Sequence, residues 1–361
     1  MSDARRLAPV AAALGALALT TAVGAVALWL GGYDAHAAAW ALVRGAVGSR
    51  AALLSVTLVR SVPLVLTGLA VALAFRAGVW NIGAEGQLYA GALAATWTGL
   101  HGGALPGWLL APTVLGSAMA AGAAWAAVPA LMKLRLGVGE VITTLLMNFV
   151  GIYTVAWAVH GPLQEARGVF PQTDPIAAGG RLPVLVPGTR LHLGFAVAVV
   201  LAAGLWALLR WTRAGFAVRA VGSAPRAARI SGRMDASRVV AGAFLGSGAL
   251  AGLAGGVQVA GVTFALYEGL SPGWGYTAIA VALLAGLNPA GVVVTGVLFG
   301  ALEGGAGAMQ RAANIPAAWV GAVEALAILS ILAVDQVRRR WVRSAGPMGG
   351  GAAQAGEASH A

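Results

Sequence analysis

The residues best equipped for chemistry stand in the run Asn81-Ile82-Gly83-Ala84-Glu85-Gly86-Gln87, where two amides and a carboxylate are interleaved with glycines. From Gly86 to Met132 no Asp, Glu, Lys or Arg occurs. An acid at the edge of so apolar a stretch is costly in a bilayer and marks a functional or tightly partnered position. Gly83 and Gly86 predict an interruption of the helix, which releases backbone groups and lets another backbone approach. A second set, Glu140, Thr144 and Asn148, is spaced i, i+4, i+8 and forms one polar stripe on a helix, facing a cavity or a partner helix. A third set, Trp274, Tyr276 and Asn288, borders a Gly-rich break at 269–276 and the Asn288-Pro289 break. These residues suit recognition. Asn and Gln offer donor and acceptor together, and the rings, with Trp80, can stack on a flat ligand. The run at 81–87 fits either direct contact with a ligand or the knitting of a broken helix to its neighbours.

Bond-making chemistry has no comparable constellation. The phosphate cradle G-x-x-x-x-G-K-[ST] is missing, and Lys133 is the only lysine. There is no H-E-x-x-H and no pair of carboxylates beside a plausible base. With no cysteine there is neither disulfide nor thiolate site, and His36, His101, His160, His192 and His360 lack metal-ligand spacing. The sequence therefore predicts no catalytic residue, no metal and no cofactor held by this chain.

The elements that position these residues are membrane helices. Of 361 residues, 59% are hydrophobic and 10% charged, where a soluble protein has about 25% charged. The reading is an all-α polytopic integral membrane protein. Spans of about 20 apolar residues are predicted at 7–30, 51–75, 84–100, 107–131, 140–160, 191–210, 239–260, 275–287, 289–305 and 317–335. That makes ten crossings, or eight if 275–305 is re-entrant, with broken or re-entrant helices near 76–87 and 269–289. The uncharged run Leu7 to Tyr33 is too long for a signal h-region and is read as a retained first span. The net charge of +11 points to topology rather than to nucleic acid, because the arginines cluster in short loops and the tail. Arg210, Arg213, Arg219, Arg226, Arg229, Arg233 and Arg238 face only Asp235 in one loop, and Arg338, Arg339, Arg340 and Arg343 mark the tail. Both are expected to be cytoplasmic, with both termini inside. Residues 1–340 read as one transmembrane domain and 341–361 as a flexible cytoplasmic tail. The two breaks fall in opposite halves of the chain, as where two internal repeats meet. Arg60 stands mid-span just before Pro63 and is expected to pair with Glu85 or Glu324.

The loop 212–236 is too patterned to serve topology alone. Ala224, Ala227, Ala228 and Ser231 recur at helical spacing, Pro225 suits a first turn, and Gly232 suits an end. A short helix with such a smooth face fits a groove on another protein.

Four segments carry a resemblance: N-I-G-A-E-G-Q at 81–87, E-V-I-T-T-L-L-M-N at 140–148, R-A-V-G with A-A-R-I-S-G at 219–232, and A-V-A-L-L-A-G-L-N-P at 280–289. In this order they resemble the permease subunits of ATP-binding-cassette importers for nucleosides, simple sugars and branched-chain amino acids, the nucleoside-type branch above all, over roughly residues 50–335. Ser223, Arg233, Gly139 and Trp80 depart from that pattern, none at the core of a motif. The resemblance implies a cytoplasmic ATPase that uses the ATP, a second permease subunit in a homo- or heterodimer, and an extracytoplasmic substrate-binding lipoprotein. It implies a cytoplasmic-membrane location, and coupling to the ATPase through Gly215, Arg219, Gly222, Ala228, Arg229 and Gly232. The candidate substrate pathway comprises Asn81, Glu85, Gln87, Glu140, Thr144, Asn148, Trp274, Tyr276 and Asn288. The expected activity is inward movement of nucleosides, purine-type favoured, by alternating access; a ribose-like sugar or a branched-chain amino acid is the alternative cargo. An ion-coupled secondary transporter using Glu85, Glu140, Glu303 and Glu324 as proton sites would not need the patterned loop.

Overall fold

A computed structural model describes residues 28–230 (the side chains of 227 and 229 excepted), 234–312, and single positions within 22–26 and 315–329. The chain divides into one unit of residues 38–314 and a second made of 1–37 with 315–361. The predicted spans 7–30 and 317–335, the tail and Glu324 lie largely or wholly outside the described residues.

Within 38–314 the structure is helical: α1 (Ala35–Val47), α2 (Arg50–Arg76), α3 (Ala84–His101), α4 (Gly107–Leu136), α5 (Glu140–His160), α6 (Gly194–Trp211), α7 (Arg213–Ser223), α8 (Pro225–Ile230), α9 (Ala236–Thr263), α10 (Trp274–Leu284) and α11 (Pro289–Ala312). Among the described residues six helices, α2, α4, α5, α6, α9 and α11, are long and apolar enough to cross a membrane. The chain is thus an all-helical, multi-pass membrane protein. The segment expected to span at 275–287 is shorter: α10 has 11 residues, about 16 Å of helix against a hydrocarbon core of about 30 Å. It begins after an irregular stretch, 264–273, and ends at the turn 285–288. The break expected at 76–87 also forms, between Arg76 and Ala84.

Local chemistry sets the ends. Gly137, at φ 68°, closes α4 in the left-handed conformation that glycine adopts freely. Asp235 Oδ1 accepts from Ser237 N and Arg238 N and so starts α9. Thr212 Oγ1 accepts from Gly215 N and starts α7. Pro289 opens α11, where its missing N–H is no loss.

Helix α2 is buried along nearly its whole length from Val59 to Ala74 and packs against α9, α10 and α11. Helix α9 packs against α3 and α4 through small residues. A Cβ on Gly122 would collide with the carbonyl of Gly248, and one on Gly252 with the carbonyl of Ala118. The backbones touch, and dispersion over this close seam replaces the hydrophobic driving force that a bilayer does not supply.

Segment 161–193 folds over the end of the bundle that α5 and α6 separate from α7 and α8. A π turn at Val259–Thr263 ends α9, and its carbonyls take part in holding the segment: Leu182 N donates to Ala260 O at 2.8 Å and Ile176 N to Phe264 O at 2.8 Å. His192 is buried between Gly194 and Gly261. Its Nδ1 accepts from Gly194 N at 3.2 Å, which places the proton of the neutral ring on Nε2, and that atom is buried without a partner among the described residues. Burial, and secondarily Arg190, lower its pKa from 6.5 to about 4.

Two predictions follow from this packing. Gly252→Ala should lower the melting temperature of the purified protein, at a cost of about 1–3 kcal/mol for overpacking. Gly204→Ala, whose Cβ meets open space, should leave it unchanged or raise it. Equal melting temperatures would refute a tight α4–α9 seam. The second concerns pH. The unfolded chain takes up a proton at His192 below pH 6.5 that the folded chain refuses until about pH 4. Stability is therefore complete above 6.5 and falls as pH falls through that window, by about 3 kcal/mol in all. Thermal melts from pH 7 to 4 should show this slope in the parent and a flatter one in His192→Leu.

Candidate functional site

The polar residues singled out by sequence come together where the break before α3 meets the start of α10. Asn81, Glu85, Gln87, Thr144 and Asn148 are all buried. Asn81 and Gln87 form a reciprocal amide pair: Asn81 Nδ2 donates to Gln87 Oε1, and Gln87 Nε2 to Asn81 Oδ1, both at 3.1 Å. Asn81 Nδ2 also donates to Ser247 Oγ of α9 at 2.8 Å, and Asn81 Oδ1 accepts from Gly83 N at 3.0 Å.

The stripe on α5 faces this break. Asn148 Oδ1 accepts from Gly86 N at 2.8 Å, and its Nδ2 donates to Ile82 O at 2.9 Å. Thr144 Oγ1 accepts from Ile82 N at 3.2 Å and donates to Glu140 O at 2.6 Å. The side chains of α5 thus satisfy backbone groups that the interruption of the helix would leave bare, groups that lipid cannot serve. The crossing is close because both helices carry glycine there: a Cβ on Gly86 would lie 2.6 Å from Met147 O, and one on Gly151 2.9 Å from Gly86 Cα. Glu140, at the first turn of α5, pairs through Oε2 with Lys133 Nζ at 2.6 Å.

Glu85 joins the two breaks. It stands in the first turn of α3, and its Oε2 accepts from Gly275 N, in the first turn of α10, at 2.6 Å. A carboxylate between two helix N-termini faces the positive end of both macrodipoles. Gly275 carries no side chain for a good reason: its Cβ would collide with Glu85 N. Ser271 Oγ accepts from Gly273 N and Trp274 N and caps α10, while Ser271 N donates to Tyr89 Oη.

Trp274 is buried, and its indole Nε1 donates to Glu303 Oε1 at 3.0 Å. Glu303 Oε2 also lies 3.6 Å from Arg60 Nη1. Arg60 therefore pairs with an acid, as its cost in a bilayer requires, but the acid is Glu303 of α11 rather than Glu85, whose Oε2 is held by Gly275. Tyr276 is exposed beside the cluster. Asn288 lies apart: it is exposed at the end bearing α7 and α8, where its Oδ1 accepts from Ala290 N.

In the patterned loop, Gly215 and Gly222 turn toward this chain. A Cβ on Gly215 would collide with Leu208 O and one on Gly222 with Arg76 O. Ala228 is buried and Arg219 half-buried, whereas Phe216, Ser223, Ala224, Arg226 and Ile230 are exposed. Gly232 and the side chain of Arg229 lie outside the described residues. The smooth face expected at 224–231 thus turns inward at Ala228, where α8 rests on its own bundle.

A cavity of about 780 Å³ opens between α3, α4 and α5, lined by Trp97, Trp125, Trp157, Leu93 and Val155 among other apolar residues. Few polar groups converge on it, so it suits hydrocarbon better than a hydroxylated ligand. Sequence reasoning missed Ser247, Ser271 and Tyr89, whose roles depend on partners far along the chain. It also missed an aromatic row that was legible: Phe149, Tyr153 and Trp157, at i, i+4 and i+8, all exposed on the face of α5 away from the polar stripe.

A family model described as branched-chain amino acid transport system / permease component matches residues 53–332. The chain is 38% identical over 351 residues to the glucose ABC transporter permease protein TsgB13 of Haloferax volcanii, covering 93% of this chain and 92% of that one. It is 35% identical over 340 residues to the guanosine ABC transporter permease protein NupP of Bacillus subtilis, covering 92% and 96%. It is 31% identical over 281 residues to the nucleoside ABC transporter permease protein NupB of Lactococcus lactis, covering 75% and 76%. No solved structure matches this chain.

Asn148→Ala should destabilise the protein by about 1–3 kcal/mol for each of the two backbone groups it strands. Glu85→Gln, which keeps an acceptor for Gly275 N, should assemble normally, and Glu85→Ala should not. Size-exclusion profiles and melting temperatures of the three variants test this, and a fully stable Asn148→Ala would show that water serves Ile82 and Gly86 instead.

Proposed function

The chain belongs to the branched-chain amino acid transport system permease family, and from that premise we propose that it is the membrane-spanning subunit of an ATP-driven importer of nucleosides, purine-type favoured. The near full-length likeness to the guanosine permease protein carries the choice of cargo. Both termini in the cytoplasm fit the arginine distribution. A separate ATPase supplies the free energy, an extracytoplasmic binding lipoprotein delivers the cargo, and a second permease subunit completes the path in the cytoplasmic membrane.

In this reading the buried network around Glu85 is the rigid part and the exposed face of α5 is the working part. Tyr153 is 69% exposed, lies well inside a spanning helix, and its hydroxyl has no hydrogen bond among the described residues. A phenol there is better placed against a polar path than against lipid. With Phe149 and Trp157 it offers ring faces to a purine. Arg219 and the exposed Phe216, Ser223, Ala224 and Ile230 form the surface assigned to the ATPase, while Gly215, Gly222 and Ala228 seat α7 and α8 on the bundle. A second reading keeps the mechanism and changes the cargo to a simple sugar, favoured by the likeness to the glucose permease protein, which is higher, 38% against 35%, and longer, 351 residues against 340.

The chain should be reconstituted with its partner ATPase, second permease subunit and binding lipoprotein, and uptake of radiolabelled guanosine and glucose compared. Saturable guanosine uptake that excess glucose does not inhibit supports the nucleoside reading; glucose uptake alone overturns it. Ile230→Asp, at a side chain 86% exposed, should insert normally yet lose about tenfold or more of the stimulated ATPase activity, the scale of one disrupted interface anchor.

A further inference from the structure

At the end of the bundle that carries α7 and α8, a cavity of about 280 Å³ is lined by Arg76, Arg210 and Arg219, with Trp206, Asn288 and Pro289 beside them. The three guanidiniums come from α2, α6 and α7, so the fold rather than one sequence run gathers them. Arg76 Nε donates to Leu287 O at 2.9 Å, which fixes that side chain at the cavity wall. Arg76 and Arg219 are near enough to repel each other. Among the described residues none of the three arginines forms an ion pair, and no carboxylate lines the cavity. The 24-residue helix α11 also begins there, at Pro289, and turns the positive end of its dipole to the same space.

Like charges gathered on a half-enclosed wall raise one another's energy. Three arginines and a helix N-terminus without an acid form a site that an anion completes. Guanidinium forks match the tetrahedral oxygens of phosphate and can each donate two hydrogen bonds. Trp206 suits the membrane–water boundary, where phosphodiesters are concentrated and where basic residues attract anionic lipid.

We propose that this cavity binds a phosphate group, supplied by the headgroup of an anionic phospholipid or by free phosphate, and that the bound anion ties α7, which carries Arg219, to the ends of α2 and α6. The proposal requires that the chain lie in a membrane, not that its cargo be a nucleoside, so it stands or falls separately from the transport reading.

The test uses the full chain, purified and delipidated in a maltoside detergent. Melting temperature and lipid adducts in native mass spectra are followed as phosphatidylglycerol, phosphatidylcholine or inorganic phosphate is added. Two variants remove one charge each from the same region: Arg210→Gln inside the cavity, and Arg213→Gln, an exposed arginine outside it. Saturable stabilisation by phosphatidylglycerol but not phosphatidylcholine, weakened about tenfold in Arg210→Gln and unchanged in Arg213→Gln, is the expected result, since one hydrogen bond to a charged group is worth about that factor. Stabilisation by inorganic phosphate with the same dependence on Arg210, and none by the lipid, supports the site with free phosphate as its source. Equal weakening in both variants would mean that general surface charge is responsible and would overturn the proposal. So would the failure of both phosphatidylglycerol and inorganic phosphate to stabilise the parent chain, the outcome expected if a carboxylate from a docked partner is the true counter-ion.

Discussion

The hydrogen bond from Gly275 N to Glu85 Oε2 holds together the two places where this chain stops being a regular membrane helix. A membrane protein can interrupt a helix only where protein supplies partners for the freed backbone. Here one carboxylate serves the start of α3, where it resides, and the start of α10, nearly two hundred residues later. Everything close to that bond is arranged to let it form. Gly275 lacks a Cβ because Glu85 N occupies the space, Ser271 caps the turn that delivers Gly275, and Tyr89 holds the backbone of Ser271.

The same constraint explains the two faces of α5. Its inner face carries Thr144 and Asn148 because Ile82 and Gly86 need acceptors and donors. Its outer face is left free for other surfaces and carries Ile142, Leu146, Phe149, Tyr153 and Trp157. A helix that is polar inward and aromatic outward inverts the pattern of a soluble surface helix. Residues that look like a ligand site in sequence thus also hold the helix breaks to their neighbours, and the exposed face of α5 is the apolar one.

Much of this was legible in the sequence. The membrane class followed from composition, and the break at 76–87 followed from two glycines around a carboxylate. The stripe Glu140, Thr144, Asn148 followed from helical spacing, and the start of α8 from Pro225. What was not legible depended on distance along the chain. Ser247 sits in the small-residue seam of α9, and nothing local marks it as the acceptor for Asn81. Arg60 had to pair with an acid, yet the choice of Glu303 rests on α11 lying beside α2. Of the small face expected at 224–231, Ala228 is buried on the chain's own bundle and Ala224 is exposed; which neighbour such a residue meets is a matter of tertiary packing. Hydropathy placed a span at 275–287, where the chain forms 11 helical residues; apolar composition cannot distinguish a crossing helix from a half-helix buried among others.

The half-helix α10 connects these points. Its N-terminus is fixed by Glu85 and Ser271, its first residue, Trp274, by Glu303, and its far end runs into the turn 285–288, whose Leu287 carbonyl is held by Arg76. Arg76 is also where Gly222 of α7 rests against the end of α2. A continuous set of contacts therefore runs from the patterned loop, through the end of α2 and the length of α10, to the junction of the two helix breaks. Anchored at both ends, α10 makes these contacts one packed unit, since packed interiors compress poorly.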